Sequence, residues 1–143
     1  MNQHEFAAVI LAAGKGTRMK SHLHKVLHPI AGRPMLKHLM ASVEALGPTK
    51  QIVVVGAGRD QVESAVGDAA DTCLQEPQLG TGHAVQQAQE RLAGFKGDVL
   101  VLYGDVPFVR GQTMQAMLDR LHEADAPKVV VLGFEPEDAL AYG

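Results

Sequence analysis

The sequence predicts an α/β fold: a mostly parallel sheet with helices on both faces. Short, wholly apolar runs at residues 6–11, 52–55, 99–102 and 129–132 have the character of strands covered on both sides. Between them, apolar residues recur at helical spacing, and strand–helix alternation of this kind builds a parallel sheet. The length, 143 residues, is one domain's worth of chain and enough for a buried core.

Taken in order, residues 6–11 form the first strand. Met35, Leu36, Leu39, Met40, Val43 and Leu46 line one face of a helix that Gly47-Pro48 stops. Residues 52–55 are the second strand, and Asp60 with Glu63 has the pattern of a capping box opening a short helix. Residues 72–75 are a brief strand. A helix then opens at Gly80-Thr81-Gly82, with Thr81 as its cap and Ala84, Val85, Ala88 and Leu92 on one face. Residues 99–102 form a strand that ends at Tyr103-Gly104-Asp105. Met114, Met117, Leu118 and Leu121 mark a further helix, and residues 129–132 a last strand. The methionine and aliphatic stripes are core faces.

Composition narrows the class. Thirteen basic against sixteen acidic residues leave a formal charge of −3 without a basic run, which argues against a nucleic-acid partner. No apolar run reaches the roughly 18 residues of a membrane span. The first residues lack a basic stretch leading into an apolar one, so no signal peptide is expected. The single Cys73 excludes an internal disulfide and fits a reducing, cytoplasmic setting; it is expected to be a small buried apolar residue.

Ligands of parallel sheets sit beyond the carboxyl ends of the strands. Three glycine-bearing loops, 12–25, 75–82 and 103–107, follow strands and are expected to line one crevice. In the first, Leu11-Ala12-Ala13-Gly14-Lys15-Gly16-Thr17-Arg18-Met19 is followed by Lys25, seven residues after Arg18. Gly14 and Gly16 allow backbone N–H groups to approach an anion, while Arg18 and Lys25 supply charge. Met19 stands where a dinucleotide fingerprint needs its third glycine, and no Gly-x-x-x-x-Gly-Lys-Ser/Thr occurs, so a dehydrogenase and a P-loop are disfavoured. Asp105 places a hard carboxylate at the sheet's edge, suited to Mg²⁺ bound with phosphate oxygens. Gln75 offers an amide that can read a base edge. His22, His24 and His28 cluster without zinc-site spacing and are expected to be solvated loop residues; no ligand role is assigned to His38, His83 or His122.

The loop 11–19 with Lys25-Val26-Leu27-His28 resembles the signature of sugar-phosphate nucleotidyltransferases. Gln75-Glu76-Pro77-Gln78-Leu79-Gly80-Thr81-Gly82-His83-Ala84 and Leu102-Tyr103-Gly104-Asp105-Val106-Pro107 resemble the uridyltransferase domain of the bifunctional N-acetylglucosamine-1-phosphate uridyltransferases/glucosamine-1-phosphate acetyltransferases. The likeness runs along essentially the whole chain. It implies a Rossmann-like nucleotidyltransferase fold, incomplete at its C-terminal side. The implied reaction is Mg²⁺-dependent uridylyl transfer from UTP to N-acetylglucosamine 1-phosphate, giving UDP-N-acetylglucosamine and pyrophosphate for cell-wall and lipopolysaccharide precursors. It further implies nucleotide contacts at Leu11, Ala12, Ala13 and Gly14, phosphate contacts at Arg18 and Lys25, and uracil recognition by Gln75, Gly80 and Thr81. Tyr103 and Gly104 would line the ribose and sugar side, Asp105 would bind the metal, and Gly143 would touch the sugar nucleotide.

Two departures bear on these expectations. His24 stands where the family usually has proline, which would leave the loop less rigid and Lys25 less well placed. The family's uridyltransferase domain would continue beyond Gly143, bringing further sugar contacts and a second metal ligand, an Asn. The acetyltransferase β-helix, which builds the family's homotrimer, has no counterpart in these residues. The chain is thus expected to hold most of the nucleotide half of the site. A CTP- or GTP-dependent relative and a nucleotide-binding fragment without turnover stand as alternatives.

Overall fold

A computed structural model describes residues 4–16 and 19–138. The chain forms strand β1 (Phe6–Leu11), a 3₁₀ turn (Lys25–Leu27), a two-residue hairpin of β2 (Pro29–Ile30) and β3 (Arg33–Pro34), then helix α1 (Met35–Glu44). Strand β4 (Lys50–Val55), helix α2 (Arg59–Val66), strand β5 (Asp71–Leu74), the short helix α3 (Thr81–Gln86), strand β6 (Asp98–Tyr103) and helix α4 (Gly111–Arg120) follow.

The main sheet has the order β5-β4-β1-β6. Every pairing in it is parallel, with Ile10 opposite Val53 and Leu102, and Val54 opposite Cys73. Parallel neighbours require crossovers, so all the strands point the same way and all their carboxyl ends meet one edge. The continuous apolar runs of β1 and β4 follow from this position: Ala7, Ala8, Val9, Ile10 and residues 52–55 are fully buried.

The two faces are covered unequally. One packs Ala8, Ile10, Val53, Val55, Leu100 and Leu102 against α1, α2 and α4, through residues such as Leu36, Leu39, Val62, Met114 and Leu118. The other face carries a small cluster of Val9, Ala13, Ile52, Val54, Ala84 and Ala88, with Leu11, Cys73 and Leu92 at its margin. That second layer stops short of β6, where Val99, Val101 and Tyr103 are exposed while Leu100 and Leu102 are buried. Helices on both faces are therefore present; among the described residues three cover one side and one short helix covers part of the other.

Four expectations are corrected. Residues 129–132 form no strand: Val129 and Val131 are 74% and 82% exposed, and neither pairs with the sheet. Their apolar run has the composition of a strand, but without a ladder or a layer to bury it composition alone does not set the backbone. Asp60 does not cap α2. Gly58, at φ 72°, turns the corner instead, so the helix begins at Arg59 and Asp60 falls inside its first turn. Likewise Gly80, not Thr81, precedes α3, and no side chain caps it. Helix α3 ends at Gln86, and residues beyond it continue as overlapping turns such as Ala88 N–H to Val85 C=O and Gln89 N–H to Gln86 C=O, which still bring Ala88 and Leu92 onto the sheet.

Candidate active site

The carboxyl edge of the sheet gathers the loops after β1, β4, β5 and β6. Backbone bonds continue the ladder a residue past the strands: Ala12 N–H donates to Val54 C=O at 2.9 Å, and Gly104 N–H to Leu11 C=O at 2.9 Å. Gln75 N–H donates to Val55 C=O at 2.8 Å. Ala12, Gln75 and Gly104 are thus fixed to one rim by the sheet itself. Gln78 adds a cross-tie, its amide donating to Ala13 C=O. A Cβ on Gly56 would meet both that amide and the Ala13 carbonyl, so the three loops pack as closely as backbone allows.

At this rim Lys25 and Asp105 meet, Nζ to Oδ2 at 2.7 Å. Their side chains are 39% and 37% exposed. A pair so open to solvent adds at most about 1 kcal/mol to stability, too little for the fold to depend on it. Both charges remain accessible. Gly16, at φ 57°, passes directly over the Lys25 stem: a Cβ there would lie 2.7 Å from Lys25 Cβ. The glycine loop and the lysine are therefore neighbours, as their sequence pattern suggested. Arg18 and Gly143, the other two expected contacts at the ends of this argument, lie outside the described residues.

Gln75 is buried, and its amide nitrogen faces inward, donating to Gly80 C=O at 2.9 Å and lying 3.1 Å from His83 Nδ1. It fixes the shape of the loop carrying Gly80 and Thr81, both of which stand at the exposed rim. Tyr103, 49% exposed, projects from the last residue of β6 on the uncovered face.

The histidine expectation divides. His22 is exposed, but His24 is buried, and its Nδ1 accepts from Val26 N–H at 3.4 Å at the head of the 3₁₀ turn. Desolvation lowers its pKa below the usual histidine value, against the nearby Gly14 and Ala57 carbonyls, which favour the protonated ring. Its backbone, φ −55° and ψ 141°, is one a proline would also take, and its N–H donates to Gln61 Oε1 at 2.9 Å. Hydrogen bonds thus supply the restraint that the sequence left in doubt. Cys73 is half-buried rather than enclosed, and burial raises its thiol pKa.

Gln61 and Gln78 are the structural surprises of the rim. Gln61 stands in no motif, and Gln78, although it lies within the 75–84 segment, carries no expected role there. Their partners are backbone groups 37 and 65 residues away, which residue type alone does not reveal.

Residues 8–139 match the MobA-like NTP transferase domain. The bifunctional protein GlmU of Novosphingobium aromaticivorans is 69% identical over 137 residues, 96% of this chain and 30% of that protein. The chain spans about a third of the length of the curated relatives it matches. A nucleotidyl transferase from Methanothermobacter thermautotroptrophicus shares the fold with a TM-score of 0.67 at 24% identity, covering 80% of this chain and 57% of that one. A manganese complex of Rv0371C from Mycobacterium tuberculosis does so with a TM-score of 0.67 at 22% identity, over 80% and 58% of the two chains. With its parallel sheet, its glycine loop and its Lys25–Asp105 rim, this chain belongs to the MobA-like NTP transferase domain family.

Proposed function

We propose that this chain forms the nucleotide half of a uridylyltransferase site. The reaction is transfer from UTP to N-acetylglucosamine 1-phosphate, releasing pyrophosphate and giving UDP-N-acetylglucosamine, a cell-wall precursor. The observation that carries the reading is the convergence of the Gly14–Gly16 loop, Lys25 and Asp105 on one rim, with the Lys25–Asp105 contact at 2.7 Å. Identity of 69% to a GlmU protein supports the choice of nucleotide and acceptor. The setting is the cytoplasm. Among the described residues, no helix is long and apolar enough to cross a membrane.

The reacting groups need little covalent help. The sugar phosphate is already an anionic nucleophile, so the protein's task is to bring anions together, align attack on the α-phosphorus and stabilise charge on the leaving pyrophosphate. The backbone of Leu11, Ala12, Ala13 and Gly14 borders the nucleotide, Arg18 and Lys25 hold its phosphates, and Gln75, Gly80 and Thr81 read the uracil. Tyr103 and Gly104 border the ribose and sugar, and Gly143 touches the sugar nucleotide. Asp105 fits a divalent cation as one hard, half-exposed oxygen donor. Among the described residues no three His, Cys, Asp or Glu side chains form a metal-binding group. Further oxygens would come from the nucleotide and from the Asn ligand expected beyond Gly143. When bound there, Mg²⁺ supplies charge neutralisation at the phosphates.

The test is pyrophosphate release from UTP, Mg²⁺ and N-acetylglucosamine 1-phosphate, with UTP binding measured in parallel. Release that depends on the sugar phosphate and falls at least about 100-fold in a folded Asp105→Ala supports the assignment. Equal binding of CTP, GTP and UTP would overturn the base assignment. UTP binding without release would move turnover out of this chain.

A further inference from the structure

The rim is steadied by a contact that the chemistry above does not use. Gln61 reaches from α2 across to the loop before Lys25, its Oε1 accepting from His24 N–H at 2.9 Å and its Nε2 donating to His22 C=O at 2.9 Å. One carboxamide thus closes on both peptide groups that flank Leu23. Both of its polar atoms are used, and both bonds are directed at backbone rather than at a side chain that could swing away.

The next link is His24. Its ring is buried and accepts Val26 N–H, while Leu27 N–H donates to His24 C=O at 2.9 Å. The ring packs against Gly58, where a Cβ would lie 3.3 Å from His24 Cδ2. His24 is therefore held on its N–H side by Gln61 and on its ring side by the corner that starts α2. Lys25 is the next residue, pinned from above by Gly16 and pointing to Asp105.

We propose that Gln61, with the buried His24, is a positioning clamp that fixes the Lys25 ammonium at the phosphate side of the site. Helix α2 is anchored in the core by Val62 and Val66, so Gln61 ties Lys25 to the rigid body of the fold. An ammonium on a four-carbon stem otherwise samples many rotamers, and ordering it on binding costs affinity. Gln61 touches no substrate; it acts through Lys25. The proposal rests on the assignment of Lys25 to the nucleotide phosphates.

Two arms test it on the intact chain. In the first, amide hydrogen exchange is compared between the wild type, Gln61→Leu and Gln61→Ala without nucleotide. The clamp predicts exchange about fivefold to tenfold faster at residues 24–27, the range carried by one or two modest hydrogen bonds, with β1, β4 and β6 unchanged. Unchanged exchange at residues 24–27 overturns it. In the second arm, Mg²⁺–UTP and inorganic pyrophosphate are titrated into wild type, Gln61→Leu, Lys25→Ala and the double variant. Gln61→Leu is expected to weaken binding about fivefold when Lys25 is present and to have no further effect in Lys25→Ala. An equal loss in both backgrounds would mean a general structural role and overturn the positioning claim. Unchanged binding in Lys25→Ala would instead refute the phosphate assignment itself, while the exchange arm would still decide whether the clamp holds the loop.

Discussion

At the scale of single residues, the site is governed by how closely backbone and side chains approach. Gly16 illustrates this. At φ 57° a non-glycine residue costs about 1–2 kcal/mol, and a Cβ would also collide with the Lys25 stem. Gly16→Ala is therefore expected to lower the melting temperature by a few degrees and to weaken UTP binding, whereas Gly14→Ala, with open space around its Cβ position, is expected to do less to stability. Calorimetry on the two variants checks the contrast. His24 has a different signature. Its folded-state pKa lies below the ordinary 6.5, so the unfolded chain binds the proton more readily. Its contribution to stability is complete above about 6.5 and declines as pH falls through the lowered folded value. His24→Gln should flatten that part of the curve of melting temperature against pH; an unchanged slope would remove His24 as its source. What the sequence concealed lies at this scale too. That Lys25 and Asp105 share one rim was legible because a cation after a glycine loop and a carboxylate after a strand both fall at the sheet's carboxyl edge. The roles of Gln61 and Gln78 were not, since a glutamine's grip on backbone across the fold is not marked by its residue type.

At the scale of elements, the strands were more legible than the ends of helices. Residues 6–11 are β1 to the residue, because a run buried on both faces must be apolar throughout. Helix starts depend on which residue turns the corner. At α2 a capping pair in the sequence lost to Gly58, one residue ahead of the helix, and at α3 to Gly80. Residues 129–132 have the composition of β1 or β4 but lack what makes those runs strands, a neighbour on each side. Strand β6 shows the intermediate case, with Leu100 and Leu102 buried in the three-helix layer and Val99 and Val101 open on the other face. Among the described residues it is also an edge of the sheet, and an open apolar edge is a template for pairing between chains. Val101→Lys should reduce concentration-dependent association in sedimentation measurements without lowering the melting temperature by more than a few degrees. Association unchanged by the charge would place the contact elsewhere.

At the scale of the whole molecule, the sheet is a device for bringing distant stretches of chain to one rim. Lys25 and Asp105 are 80 residues apart in sequence, yet the parallel pairing of β1 with β6 sets them side by side. If Lys25 takes a phosphate and Asp105 a cation, as proposed, their contact would make the two ligands interdependent. An anion that draws Lys25 away leaves the Asp105 carboxylate without its counter-charge; a cation that captures Asp105 releases the ammonium in the same way. A phosphate and a divalent ion arriving together leave neither stranded. On the proposed assignment the bridge would be an exchange point for two ligands of opposite sign, and linkage would then require that each raise the affinity for the other by the same factor.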